Sequence, residues 1–208
     1  MSALYYCRQT TTACKGIPYP SKTHPYRYGT SGCVYTSGCG VCASLMALRN
    51  STTRVFNTRQ WTHRCLGMGA RAAEGTDMAV VARYMKEKYG MDYAITTDMD
   101  RLVAHLKQGY KAIINVSGGG KMLFSNSGHY VLAAGIDKNG NLIILDPYWY
   151  DGKFTLTAAR RKYTRVKNGR EVYVRPADLK GDVLSLWLFT PKRDVRLAYS
   201  VNDMHYRK

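Results

Sequence analysis

From Ser127 onward the chain reads Ser127-Gly-His129-Tyr-Val131-Leu-Ala-Ala-Gly-Ile136-Asp137-Lys-Asn-Gly140-Asn141-Leu-Ile-Ile-Leu145-Asp146. Two apolar runs flank Asp-Lys-Asn-Gly, a connection ending in Asn-Gly, which is a strong hairpin signal. If Ile136 pairs with Asn141 across that turn, Asp146 comes to face Val131. His129 lies two residues along the strand from Val131 and so projects from the same face. His129 and Asp146 are then diagonal neighbours, about 7–8 Å apart at the backbone and within reach of a hydrogen bond. A turn longer or shorter by one residue sends them to opposite faces.

Outward from the hairpin, residues 112–116 read as a buried strand that runs into Gly118-Gly-Gly120. Residues 170–175 and 184–189 read as later strands, and 158–168 as a long basic loop or a helical excursion. Upstream the period is helical. An apolar helix starts at Cys39 and ends near Asn50. Asn57-Thr58 caps a short helix through Cys65, residues 76–89 form an amphipathic helix stopped by Gly90, and Asp98 caps another ended by Gly109. Residues 1–38, rich in Tyr, Ser, Thr, Gly and Pro, read as a loop-dominated arm. Helices first and antiparallel strands after them predict an α+β fold, with residues 1–208 as one domain and 151–208 as its basic C-terminal part.

Thirty-one Lys and Arg oppose 14 Asp and Glu over 208 residues, a net charge of +17. Nine basic residues precede the first carboxylate, Glu74. Such a field predicts a polyanionic partner: an anionic cell-wall polymer, nucleic acid or an anionic membrane surface. No helix-turn-helix or RNP-like segment favours nucleic acid. No apolar run approaches the ~18–20 residues that a membrane span needs. The first residues show neither a basic nor an apolar signal region, so synthesis in the cytoplasm without a signal peptide is expected.

Ser37-Gly-Cys39-Gly40 sets a thiol at the start of the apolar helix, where unpaired N–H groups and the helix dipole favour a thiolate. The flanking glycines leave room for a substrate carbonyl. A carboxylate at Asp146 orienting His129, and His129 accepting the Cys39 proton, is the logic of a triad. Cys39-Gly-Val-Cys42 also has zinc-ligand spacing, with His63 and Cys65 to complete a site. A second C-x-x-C or H-x-x-x-H pair is missing, and the Trp and βαβ lead-in of a thioredoxin motif are absent. No metal and no cofactor is expected. Cys42, one helical turn after Cys39, reads either as a redox partner for it or as a small core side chain.

On these motifs the chain resembles the C39-like cysteine peptidases, which have a papain-like fold. The resemblance rests on Tyr28-Gly29, Ser37-Gly-Cys39-Gly-Val-Cys-Ala43, Ser127-Gly-His129-Tyr-Val131 and Leu145-Asp-Pro147, and covers about residues 17–190. It implies a Cys39 nucleophile, a His129 general base and acid, and an Asp146 that orients the imidazole. Val41 stands where the family has Pro, and Cys42 where it has Thr or another small residue. The family's oxyanion-hole Gln lacks an obvious counterpart, and Gln9 or Lys22 is the candidate donor. Members serve in bacteriocin-processing transporters, as secreted peptidases and as phage lysins. A basic chain with no membrane segment and no ATP-binding cassette looks most like a lysin that reaches the cell wall through a holin. An intracellular protein-processing peptidase and a non-catalytic, polyanion-binding papain-like module are the alternatives.

Overall fold

The computed structural model describes residues 4–192, so residues 193–208 of the basic C-terminal part lie outside the described residues. Seven antiparallel strands form a sheet in the order β1-β7-β2-β3-β4-β6-β5. They are β1 (Met91–Thr96), β2 (Lys111–Val116), β3 (His129–Ile136), β4 (Leu142–Leu145), β5 (Thr164–Lys167), β6 (Glu171–Val174) and β7 (Val183–Pro191). Helices α1 (Thr12–Lys15), α2 (Val34–Ser37), α3 (Cys39–Arg49), α4 (Thr58–Gly67) and α5 (Met78–Tyr89) precede the sheet, and α6 (Met99–Lys107) follows β1. Two short helices, α7 (Ala158–Tyr163) and α8 (Pro176–Leu179), interrupt the later strands. The α+β class expected from the sequence is the one that forms.

The hairpin holds a compensated error. Its turn is one residue longer than the sequence predicts, because Asp137 N–H bonds the Asn141 carbonyl at 2.9 Å and the Asp137 carboxylate accepts from the N–H groups of Asn139 and Asn141. Pairing therefore starts at Ile136–Leu142 and Gly135–Ile143, one residue out of the expected register. Left uncorrected, that slip would carry Asp146 to the face opposite His129. A β-bulge at Ala134 absorbs the extra residue, and Ala133–Ile144 and Leu132–Leu145 return to the expected pairs. Bulges of this kind re-aim side chains close to functional sites.

Alternation along the strands splits the core between the two faces of the sheet. Leu132, Leu145, Ile113 and Phe189 pack with α3, α4 and α5. Val131, Ile144, Ile114 and Val172 pack with α6, Phe124, Trp149 and Phe154. Every residue from Val41 to Leu48 is buried, so α3 runs through the core rather than along it. Its one interior hydroxyl is satisfied: Ser44 Oγ donates to the Gly40 carbonyl and accepts from Trp61 Nε1 at 2.8 Å.

Caps fix where the helices begin. Asn57 and Gln60 form a reciprocal capping box on α4, and the Asp77 and Asp98 side chains cap α5 and α6. Because Asp77 is the cap, α5 starts at Met78 and leaves Thr76 outside it. Gly90 closes α5 at φ 64°, a conformation that favours glycine. Two strands have no counterpart in the sequence reading. β1 pairs along β7 with only Met91 fully buried, and β5 is a basic edge strand, so neither shows a clean apolar alternation.

Candidate active site

Cys39 is the first residue of α3, and the glycines beside it serve packing. A Cβ on Gly38 would lie 2.5 Å from the Val34 carbonyl oxygen, and one on Gly40 would lie 2.6 Å from Thr76 Cβ. Both glycines thus let the head of α3 close against α2 and the 70–77 loop, a more local reason than room for substrate. Thr76 is itself held by the Tyr19 hydroxyl at 3.0 Å. Of the six cysteines, all of them free, Cys39 alone is partly open to solvent and the other five are buried.

The start of β3 abuts that helix head. The His129 ring and the backbone N–H groups of Tyr130 and Gly40 lie beside the Cys39 sulfur and favour its ionised form. Burial by itself raises a thiol pKa, but these contacts together outweigh it and hold Cys39 below its ordinary value. His129 Nε2–H donates to Asp146 Oδ1 at 2.7 Å, which leaves Nδ1 for the sulfur. Burial disfavours the imidazolium, yet Asp146 and Cys39 prevail and push His129 up to about 9. The Tyr148 ring stands edge-on to the imidazole, 6.3 Å away, with 43% of its surface exposed.

Asp146 is fully buried and richly bonded. Oδ1 accepts from His129 and from the Tyr148 N–H at 2.9 Å, Oδ2 accepts from Lys153 Nζ at 2.5 Å, and its backbone carbonyl accepts from the Tyr6 hydroxyl at 2.6 Å. Burial would raise its pKa, but Lys153 and His129 hold the carboxyl below the ordinary range. Lys153 is absent from the sequence reading. The signal for it was modest: Asp151-Gly152 is a turn dipeptide, and Gly152, at φ 78°, returns the chain so that a lysine seven residues after Asp146 meets it.

The other sequence-stretch candidates fall in different places. Gln9 is buried; its N–H bonds the Pro147 carbonyl at 2.9 Å and its Nε2 donates to the Tyr35 carbonyl at 3.2 Å. It therefore bridges the segment after Asp146 and the helix just before Cys39. Lys22 is exposed, on a turn whose neighbours Ser21 and Thr23 bond the Ala73 carbonyl. Cys42 is buried in the core beside Cys7, and burial and Cys7 raise its pKa well above the ordinary value. His63 is exposed on α4 while Cys65 is buried.

The model of the Peptidase_C39 like family matches residues 14–171, a span that contains Cys39, His129, Asp146 and Lys153. Among solved structures the chain is similar to the peptidase domain of Streptococcus ComA, a bi-functional ABC transporter involved in a quorum sensing pathway. Identity is 15%, over 74% of this chain and 91% of that one, with a TM-score of 0.48. It is also similar to the peptidase domain of Streptococcus mutans ComA in complex with a small-molecule inhibitor, at 16% identity over 75% and 93% of the two chains and a TM-score of 0.38. No curated protein matches the sequence.

Proposed function

The chain belongs to the Peptidase_C39 like family and is a cysteine peptidase of papain-like fold; from that premise we propose that Cys39, His129 and Asp146 are its catalytic residues and that it cleaves cell-wall peptides, as a phage-lysin-like member. The observation that supports the catalytic assignment is the 2.7 Å hydrogen bond from His129 to the buried Asp146, with the imidazole beside the Cys39 sulfur at the head of α3.

In the resting pair the thiol proton already sits on the imidazole, giving a thiolate and an imidazolium. The Cys39 sulfur attacks the scissile carbonyl carbon, forming a C–S bond and an oxyanion. Collapse breaks the C–N bond as the imidazolium gives its proton to the leaving amine. Water then attacks the thioester and passes a proton to the neutral His129, and the acid product leaves as the thiolate–imidazolium pair reforms. The backbone N–H at the head of α3 and the Gln9 amide are the oxyanion donors we assign. Gln9 is preferred to Lys22 because its bonds tie it to Pro147 and Tyr35, which adjoin Asp146 and α3. Losing one such donor costs roughly 10²–10³ in rate.

Charge supports the cell-wall reading. Lys162, Arg165, Lys167 and Arg175 line a cavity of about 290 Å³ along the edge strand β5, with Tyr163, Tyr173 and one carboxylate, Asp178, which pairs with Arg175 at 2.6 Å. Lysine ammoniums lie 5.2 Å from the Tyr163 ring centre and 4.5 Å from that of Tyr173. No helix among the described residues is long and apolar enough to cross a membrane. Release from the cytoplasm by a holin-type route belongs to the same proposal.

Purified sacculi incubated with wild type and with Cys39→Ala test the reading by mass spectrometry of new termini. New amino termini in the wall peptides with wild type alone are expected. Cleavage of soluble protein with intact sacculi would favour a protein-processing role, and equal cleavage by Cys39→Ala would remove Cys39 as the nucleophile.

A further inference from the structure

Among the buried groups to which no task has yet been given, Lys153 is the most unusual. Its side chain is 2% exposed, and taking an ammonium out of water is strongly unfavourable unless it is paired and hydrogen-bonded. Here it is both. Nζ donates to Asp146 Oδ2 at 2.5 Å and to the Tyr148 carbonyl at 2.9 Å. The rings of Tyr148, Phe154 and Tyr150 surround it at 5.3, 5.6 and 6.0 Å. On its far side Arg160 donates to the Lys153 carbonyl at 3.2 Å.

We propose that Lys153 is a positioning residue of the site: its ammonium locks the Asp146 carboxylate in the orientation that steers His129, and its charge sets the pH at which the Cys39–His129 pair ionises. The inference rests on the assignment of Cys39, His129 and Asp146 made above. Geometry supplies the first half. With Oδ2 taken by Lys153, Asp146 can offer His129 only Oδ1, and the carboxylate cannot rotate without breaking the Lys153 and Tyr148 bonds together.

Charge supplies the second half. The groups that face one another are the Cys39 thiolate, the His129 imidazolium, the Asp146 carboxylate and the Lys153 ammonium. Arg160 lies behind Lys153, the half-buried Arg71 acts on Cys39 from the 70–77 loop, and the Tyr6, Tyr19, Tyr130, Tyr148 and Tyr150 phenols stand around them. With Lys153 the four inner charges cancel. Without it a buried cluster carries one excess negative charge, so each proton in it is held to higher pH. Burial pulls Lys153 below the ordinary lysine range while Asp146 resists, as a paired buried ammonium should behave.

A purely structural role is the competing account, since the same side chain also ties down the 147–153 loop. The two separate in the pH dependence of Cys39 alkylation by iodoacetamide, followed by peptide mass mapping, which needs no knowledge of the substrate. Wild type, K153M, K153Q and K153R are compared, each checked for folding by circular dichroism. In wild type the midpoint should lie below that of an ordinary thiol. In K153M and K153Q it should rise by about one unit, and in K153R, which keeps the charge, it should stay near wild type. Folded neutral variants with the wild-type midpoint would overturn the proposal. So would neutral variants that fail to fold, because the role would then be structural. A wild-type midpoint typical of a free thiol would instead sink the triad assignment itself, whatever the Lys153 variants did.

Discussion

The two sides of the His129 ring are built differently. On the Nδ1 side is a sulfur at a helix start, partly open to solvent. On the Nε2 side is a carboxylate closed off entirely, held by His129, the Tyr148 N–H and Lys153. A nucleophile must meet substrate, so its setting tolerates exposure and relies on local donors to keep it ionised. An orienting group meets nothing from outside, so it can be buried and fastened at every lone pair. The contrast separates reactivity from rigidity within a span of three residues.

Substitutions on the two sides should therefore fail in different ways. Cys39→Ala should show the largest effect, a loss of roughly 10⁴-fold or more in kcat/KM, with the thermal midpoint of unfolding close to wild type. Asp146→Asn should cost about 10²–10⁴ in kcat. Because it strands Lys153 as an uncompensated buried charge, it should also lower stability by about 3–5 kcal/mol. Paired kinetic and denaturation measurements check both. A destabilised Cys39→Ala beside a stable Asp146→Asn would reverse the comparison.

Acid and alkali should also distinguish the sides. His129 has its pKa raised in the folded state, from 6.5 to about 9. Its contribution to stability is fully present below the unfolded value and is lost as pH rises through about 9. Asp146 has a depressed pKa, so its contribution is present above the ordinary carboxyl value and is lost only as pH falls through the lower folded value. Because Cys39 is held below its ordinary value, the proton it has lost offsets the one His129 keeps. Wild-type denaturation midpoints should therefore stay level from about pH 6.5 to 9, whereas in Cys39→Ala, which leaves the raised imidazole alone, they should decline with rising pH. A wild-type midpoint that declines as steeply as that of Cys39→Ala would contradict the thiolate–imidazolium pair.

The smallest effect concerns Cys42, which belongs to the core rather than to either side of the ring. Cys42→Ser should change stability by about 1 kcal/mol and leave activity unchanged, since its contact is Cys7. Mild peroxide followed by dithiothreitol should inactivate and restore wild type and Cys42→Ser alike. A difference between them would make Cys42 a redox partner of Cys39.

Much of this geometry was legible in the chain, though partly for the wrong reason. Helix caps at Asn57 and Asp98 declared themselves, because small polar side chains before apolar periodicity have one common use, whereas the cap at Asp77 was read as part of its helix. The facing of His129 and Asp146 was derived from a turn that turned out one residue too short. It holds because the bulge at Ala134 cancels the slip, and no local propensity announces a bulge. Gly38 and Gly40 were visible, but the packing of Gly40 against Thr76 depends on a neighbour far away in sequence. β1 and β5 were invisible, since an edge strand needs no continuous apolar face. Lys153 was missed because a lysine in an aromatic loop looks like surface until the loop is folded.

The account stands or falls on the protonation state of His129. Nitrogen-15 NMR of the selectively labelled imidazole, titrated in wild type, reads it directly. The expected result is a ring protonated on both nitrogens through neutral pH, with a midpoint near 9. A ring that titrates near 6.5 and is neutral at pH 7.5 would contradict the thiolate–imidazolium pair, and with it the division between an open reactive side and a locked orienting one.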